Sequence, residues 1–220
     1  MDNKFSVIIR TRNEERHIGY CLQSITDHIG KPQIIIVDNE STDSTIRIIN
    51  RFEYHDIEKY TIKKNDYTPG RALNIGIQKV VNPYTLIMSA HCEITSFDTP
   101  QITQKLDGVL DRKMVAIWGK QIPIWDGKKI TRRYMWSNFK DGSKMNYFCE
   151  SEDRYFFHNA FSLFKTDYLK DNLFDERHSS KEDRYWANER IDRGEKILYD
   201  STIEVNHHYT PNGATWMGTG

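Results

Sequence analysis

No stretch of the 220 residues approaches the ~18 consecutive apolar residues that a membrane-spanning helix needs. The N-terminus lacks the apolar core of a secretory leader. Charge of one sign is missing as well: 31 Lys and Arg face 31 Asp and Glu. That balance argues against a general nucleic-acid binder, although a local basic patch is compatible with it. Cysteine is scarce. Cys21, Cys92 and Cys149 show no metal-ligand spacing, and an odd number without a leader suits a reducing compartment. Phosphate-binding glycine loops are absent: no G-x-G-x-x-G follows the first apolar run, and no G-x-x-x-x-G-K-[ST] occurs anywhere. Both a dinucleotide Rossmann site and a P-loop are therefore disfavoured. Repeats and low-complexity stretches are missing too, and the length fits one large α/β domain over 1–220.

What is present is an alternation of strands and helices. Phe5 to Arg10 is a short apolar run rich in β-branched residues, which predicts a buried strand. The polar stretch Thr11 to Glu15 suits a loop entering a helix. Ile18, Leu22, Ile25 and Ile29 then recur at spacings of four, three and four, which is one helix face. Gly30 and Pro32 should stop it. Gln33 to Asp38 reads as a second buried strand ending on a carboxylate. Asn39 to Asp43 can cap a following helix lined by Ile46, Ile49 and Phe52. Near-continuous apolar strands separated by helices predict a mostly parallel central sheet with helices on both faces. Ligands of such sheets bind beyond the carboxyl ends of the strands. Three polar groups lie there: Thr11 to Glu14, Asp38 to Thr42, and Ser89 to Glu93 after the strand Thr85 to Met88. They should converge on one cleft. Asp126 to Ser151, rich in charge, glycine and aromatics, reads as an insertion or mobile loop, and the tail after Tyr209 as irregular.

The run Val7-Ile8-Ile9-Arg10-Thr11-Arg12-Asn13-Glu14-Glu15, together with Ile36-Val37-Asp38-Asn39-Glu40-Ser41-Thr42-Asp43, resembles the inverting, family-2 type of nucleotide-sugar glycosyltransferase with the GT-A fold. Pro69-Gly70-Arg71-Ala72-Leu73-Asn74 resembles that family's glycine-started helix. Phe174-Asp175-Glu176, Glu182-Asp183 and Val205-Asn206-His207-His208 resemble its C-terminal catalytic region. The similarity spans about Lys4 to His208, and order and spacing make it specific. It implies a nucleotide-sugar half over about 1–95 and an acceptor and catalytic half over about 96–220.

The resemblance places Asp183 as general base, with Glu182 orienting the loop or binding the acceptor. It places Asp38 and Thr11 against the base of a donor, most simply a UDP-sugar. A carboxylate accepts the N3–H of uracil or the N1–H of guanine, and cytosine and thymine remain open. Arg12 and Glu14 join this donor set. Arg71, at a helix start, suits the diphosphate. His158 and Asn159 fall where the family approaches the acceptor, and Trp186 suits either a sugar face or the core. Each also has a plain structural reading. Asp38 suits a helix cap, Arg71 a surface ion pair, and Ser180 with Asp183 a capping box.

Ser89-Ala90-His91 departs from the family, which carries Asp-x-Asp there to hold a divalent cation. Ser89 and His91 leave three readings open. In one, His91 with His207 or His208 binds a cation, Mn²⁺ rather than Mg²⁺ because the ligands are imidazoles. In another, the leaving diphosphate is stabilised without metal by histidine or arginine donors. In the third, His91 is only a packed residue. The implied partners are a nucleotide sugar and a glycan or glycolipid acceptor, not a nucleic acid. The implied location is the cytoplasm, with peripheral association at the inner face of a membrane. Two alternatives stand beside this: a nucleotidyltransferase, which would be expected to carry glycine in the first loop, and a non-catalytic sugar- or nucleotide-binding relative.

Overall fold

The computed structural model describes residues 4–52, 56–107, 113–125, 128–129 and 134–217. The first half runs β1 (Phe5–Thr11), α1 (Ile18–Ile29), β2 (Gln33–Asp38), α2 (Thr45–Ile49), β3 (Ile57–Thr61), α3 (Pro69–Ile77) and β4 (Tyr84–Ser89). Next come β5 (Cys92–Ser96), α4 (Thr99–Leu106), β6 (Met114–Trp125), β7 (Lys128–Lys129), β8 (Ser143–Met145), β9 (Phe148–Cys149) and β10 (Arg154–Tyr155). The chain closes with β11 (Phe161–Lys165), α5 (Thr166–Asp171), α6 (Glu182–Asp192), β12 (Lys196–His208) and α7 (Ala214–Met217).

The large sheet has the order β3-β2-β1-β4-β11-β6-β12-β5, with β7 on β6 and β8 on β12. The strands β3, β2, β1 and β4 are parallel, as are β6 and β12. Between these blocks β11 runs antiparallel to both β4 and β6, and β5 closes the far edge antiparallel to β12. The expected α/β architecture, a mostly parallel sheet, is thus present, with antiparallel strands joining its two parallel blocks.

Period-two alternation explains why the first strands are apolar throughout. Val7, Ile9, Ile34, Ile36, Leu86 and Met88 face one side, where Ile18, Leu22 and Ile25 of α1 cover them. Ile8, Ile35, Val37 and Ile87 face the other, against Ala72, Leu73 and Ile77 of α3. The α1 stripe is the one read from the sequence, and Gly30 ends it at φ 91. Leu22 is fully buried, so Leu22→Ala should cost ~2–5 kcal/mol. Gly76 lets α3 sit close to the sheet: a Cβ there would lie 2.6 Å from Ile8 Cγ2.

Of the stretch 126–151, residues 126–127 and 130–133 lie outside the described residues. Residues 135–136, 138–139 and Cys149 are packed rather than loose, while 140–145 are exposed. Met135, Trp136, Phe139 and Cys149 are buried, and Phe139 meets the Trp118 ring edge-on at 5.7 Å. Aromatic burial outweighs the polar composition that suggested a loop. The tail is irregular only to Gly213, after which α7 forms.

Candidate active site

The strand register aligns the polar ends. Thr11 pairs with Asp38, and Arg10 with Ser89. Beyond them opens a cleft of about 430 Å³, floored by Arg10, Thr11, Ser89 and His91. The loops after β1 and β2 lock each other in place. Asn13, at φ 52, accepts from Thr42 N at 2.7 Å and donates its own N–H to Ser41 Oγ at 2.9 Å. Glu14 N donates to Thr45 Oγ1 at 2.7 Å. Asn39 faces the cleft, held by Ile62 O at 3.1 Å and by Arg12 Nη1 at 3.3 Å. Thr11 Oγ1 is buried and has no partner among the described residues. Asp38 is adjacent but not on the cleft surface. Its carboxylate accepts both the N–H and the hydroxyl of Ser41.

The histidines form a directional chain. Ala160 N donates to His158 Nδ1 at 3.2 Å, so His158 carries its hydrogen on Nε2, facing Thr215 Oγ1 at 3.1 Å. Gln121 Nε2 also faces His158 Nδ1, which turns Gln121 Oε1 toward His207 Nδ1 at 2.8 Å. His207 then presents a bare Nε2 to His91 Nε2 at 3.0 Å. The other nitrogen of His91 lies 3.1 Å from Glu14 Oε1, which also accepts from Thr210 Oγ1. His91 therefore meets two acceptors and satisfies both only with a hydrogen on each ring nitrogen. An ion between the two Nε2 atoms would serve as well: two nitrogens cis on one ion at bonds of about 2.1 Å lie about 3 Å apart. The pair fits a cation as a two-donor site. Among the described residues no group of three or more His, Cys, Asp or Glu could hold an ion. Burial pushes His158 down to about 3 and His207 well below the ordinary histidine range.

The opposite wall carries the acidic pair. Glu182 Oε1 accepts from Arg10 Nη1 at 2.8 Å and from Asn159 Nδ2 at 2.9 Å, and Arg10 Nη2 donates to Asn159 Oδ1 at 3.0 Å. Asp183 is buried yet lines the cleft. Its Oδ2 accepts from Asn159 N at 3.1 Å, its Oδ1 from Arg184 N at 2.8 Å, and Arg184 Nη1 reaches both oxygens at 3.1–3.2 Å. Burial by itself would raise the Asp183 carboxyl; the Arg184 guanidinium and these N–H groups outweigh it and hold it below the usual range. The helix α6 starts from Lys181 at φ 58 with no side-chain cap, so the capping box expected between Ser180 and Asp183 does not form. Asp183 is drawn to Asn159 instead.

Three predicted site residues lie elsewhere. Arg71 is exposed, with Nη1 3.4 Å from Asp66 O, away from the cleft lining. Trp186 is core: 3 % exposed, packed by Phe157, Phe164 and Phe174, its Nε1–H on Asn172 O at 2.7 Å. His208 follows His207 on the strand and points to the opposite face, where it stacks on His17 and meets Glu93 Oε2 at 3.1 Å. Conversely, Arg10, Tyr67, Arg184 and Thr215 line the cleft without having been predicted, and Asn39 lines it as a member of the Asp38 to Thr42 group. Arg10 carried a signal, being a charge inside a buried strand. The tail also closes the cleft, with Asn212 Nδ2 reaching Arg12 O and Asn13 O at 3.2 Å.

The sequence profile described as "Glycosyl transferase family 2" matches residues 6–173. The chain belongs to this family. Poly(ribitol-phosphate) beta-N-acetylglucosaminyltransferase TarS of Staphylococcus aureus (strain Mu50) is 24% identical over 128 residues, 54% of this chain and 22% of that protein. The chain thus spans about a fifth of the curated relative's length. The crystal structure of S. aureus TarS 1–349 with UDP-GlcNAc superposes with a TM-score of 0.70 at 19% identity, covering 99% of this chain and 61% of that one. GalNAc-T7 with UDP, GalNAc and Mn²⁺ gives 0.70 at 14% identity, covering 96% and 44%. Mannosyltransferase PcManGT from Pyrobaculum calidifontis, with GDP-Man and Mn²⁺, gives 0.63 at 16%, covering 96% and 58%. The fold is therefore that of the GT-A glycosyltransferases. Its α6 lies beyond the matched residues. Among the described residues no helix is long and apolar enough to cross a membrane.

Proposed function

We propose that this glycosyltransferase inverts the anomeric centre while moving a sugar from a UDP-linked donor to a hydroxyl of a glycan or glycolipid, with Asp183 as general base. The observation that carries the reading is the position of Asp183. It is an ionised carboxylate on the wall of a cleft whose floor is formed by strand ends. The acceptor hydroxyl attacks the anomeric carbon from the face opposite the diphosphate, and Asp183 takes its proton. Thr11, whose hydroxyl has no partner among the described residues, and Asn39 suit the base. Glu14 fixes His91, Arg12 steadies Asn39, and Glu182 with Arg10 and Asn159 braces the turn before Asp183.

His91 and His207 are the residues that would hold a divalent cation, and Ser89 beside them supplies no carboxylate. The cation would supply charge neutralisation to the leaving diphosphate, the remainder of its shell coming from phosphate oxygens and water. Imidazole donors favour Mn²⁺ over Mg²⁺. The Mn²⁺ bound with two structural neighbours and the UDP-GlcNAc bound with a third support this choice of cofactor and donor. The test is turnover and binding on a panel of UDP- and GDP-sugars, with and without EDTA and with added Mn²⁺. Binding of GDP-sugars in preference to UDP-sugars would remove the donor assignment. Retention of the donor's anomeric configuration in the product would remove the inverting mechanism.

A further inference from the structure

One buried charge near the cleft has no part in the chemistry above. Glu152 sits in the turn between β9 and β10, its side chain 4 % exposed, and neither carboxylate oxygen has a hydrogen-bond partner among the described residues. An isolated buried carboxylate is costly. The nearest cation is Arg184, whose Nε lies 3.6 Å from Glu152 Oε2. Arg184 is itself 1 % exposed, its guanidinium carbon 4.3 Å from the Phe156 ring centroid. The fork is divided. Nη1 serves both oxygens of Asp183, while Nε and Nη2 have no hydrogen-bond partner among the described residues. One guanidinium thus stands between two buried carboxylates and is bonded to only one of them.

Asp183 cannot take up a proton without consequence for this arrangement. With Asp183 ionised, the triad carries two anions and one cation. With Asp183 protonated, Arg184 would be a buried cation without a counterion if Glu152 were absent, a strongly disfavoured state. With Glu152 present the triad becomes neutral. The other charged and titratable groups facing Asp183 do not offer this balance. Glu182 is already paired with Arg10, His158 is neutral through burial, and Lys181 is a further cation on the same wall.

We propose that Arg184 and Glu152 are a positioning pair for Asp183: as Asp183 accepts the proton of the acceptor hydroxyl, the Arg184 guanidinium shifts its pairing from Asp183 to Glu152. No bond is made or broken within the pair. Glu152 raises the proton affinity of Asp183 by removing the penalty of the protonated state, and Arg184 keeps the free carboxylate ionised and oriented. This inference rests on the general-base reading.

Two experiments test it. The first needs no substrate. Asp183→Asn mimics the protonated base, so Glu152→Gln should lower the urea midpoint clearly in the Asp183→Asn background. It should leave the midpoint unchanged or raised in the wild-type background, where it removes an excess negative charge. Equal effects in both backgrounds would overturn the proposal. The second uses whichever UDP-sugar of the panel turns over. Glu152→Gln should lower kcat about three- to tenfold with donor KM unchanged and move the acid limb of the pH profile to lower pH, and Glu152→Asp should recover part of the loss. An unmoved limb with normal kcat would also overturn it. If Asp183→Asn itself transferred normally, the general-base reading would fall, while the stability comparison would still report on the pair.

Discussion

Asp38 and Asp183 are equally buried, each 4 % exposed, and each lies beside the strand ends that floor the cleft. Their partners differ in kind. Both oxygens of Asp38 serve one residue, Ser41, three positions along the chain. Asp183 draws on Asn159, 24 positions away, and on a guanidinium that a second buried acid also faces. Local donors shape a turn. A distant backbone N–H and the guanidinium of the neighbouring Arg184, which a second buried acid also faces, hold a carboxylate where a ligand can reach it. Burial alone does not separate these roles, and the charge of the donor does.

The sharpest break in the comparison is Asp183→Asn against Asp38→Asn. Asparagine keeps the shape of either side chain and removes its basic oxygen. Asp183→Asn should lose ~10²–10⁴-fold in transfer while staying folded. Asp38→Asn should keep transfer within about threefold. Steady-state rates on one donor decide, and comparable losses would erase the distinction. Next in size is the ion pair beneath Asp183. Arg10 and Glu182 are 16% and 6% exposed and 2.8 Å apart. Arg10→Met leaves Glu182 buried without its cation, and should cost ~3 kcal/mol in urea unfolding. A loss under about 1 kcal/mol would place the pair with ordinary surface bridges.

A smaller effect is pH-dependent and comes from the histidine wall. An unfolded histidine binds its proton near pH ~6.5, whereas burial, with Arg184 close by, pushes folded His158 down to about 3. Below pH ~6.5 the unfolded chain therefore takes up a proton that the folded chain does not. The stability tied to a neutral His158 is complete above that pH and falls as pH drops toward the folded value. The slope is at most ~1.4 kcal/mol per pH unit. His158→Gln should flatten the acid loss of unfolding free energy between about pH 6 and about pH 5. Parallel curves for the two proteins would mean that His158 does not stay neutral in the fold.

These contrasts also explain how much could be read from the residues alone. The parallel half was legible because its strands are apolar on both faces and its first helix repeats at four, three and four, so burial and periodicity point one way. The tie between the Asn13 loop and the Ser41 turn joins two short polar motifs that both stood out. Arg184 and Glu152 were not legible, since nothing in Glu150-Ser151-Glu152-Asp153 says that one of these acids is buried against a guanidinium from α6. Trp186, which the sequence left open between a sugar face and the core, and His208, named as an alternative to His207, lie off the cleft for local reasons. The Trp186 ring packs against Phe157, Phe164 and Phe174 in the core, and one residue after His207 a strand has turned to its other face. Arg71 failed because α3 is fixed by Gly70 and Gly76 against Asp175 and Ile8, with Arg71 left outside.

The smallest expected effect is the most informative about Asp38. Asp38→Ala removes the acceptor for the Ser41 N–H and hydroxyl, a loss worth ~1 kcal/mol for a capping side chain of this kind. Ser41 Oγ also receives the Asn13 N–H, so the loosened turn should reach the loop that carries Thr11 and Arg12. If Asp38 acts only through that turn, Ser41→Ala should reproduce its effect on both stability and UDP affinity. If its carboxylate instead binds the base directly, Asp38→Ala should weaken UDP well beyond Ser41→Ala, because it would then remove a direct hydrogen bond to the base in addition to loosening the turn. Calorimetric UDP titration of the two variants separates these outcomes. The turn reading requires the two affinities to agree within about threefold, since each substitution removes the Ser41 hydroxyl–Asp38 bond and one further bond of the same turn, the Ser41 N–H to Asp38 in one and the Asn13 N–H to Ser41 Oγ in the other.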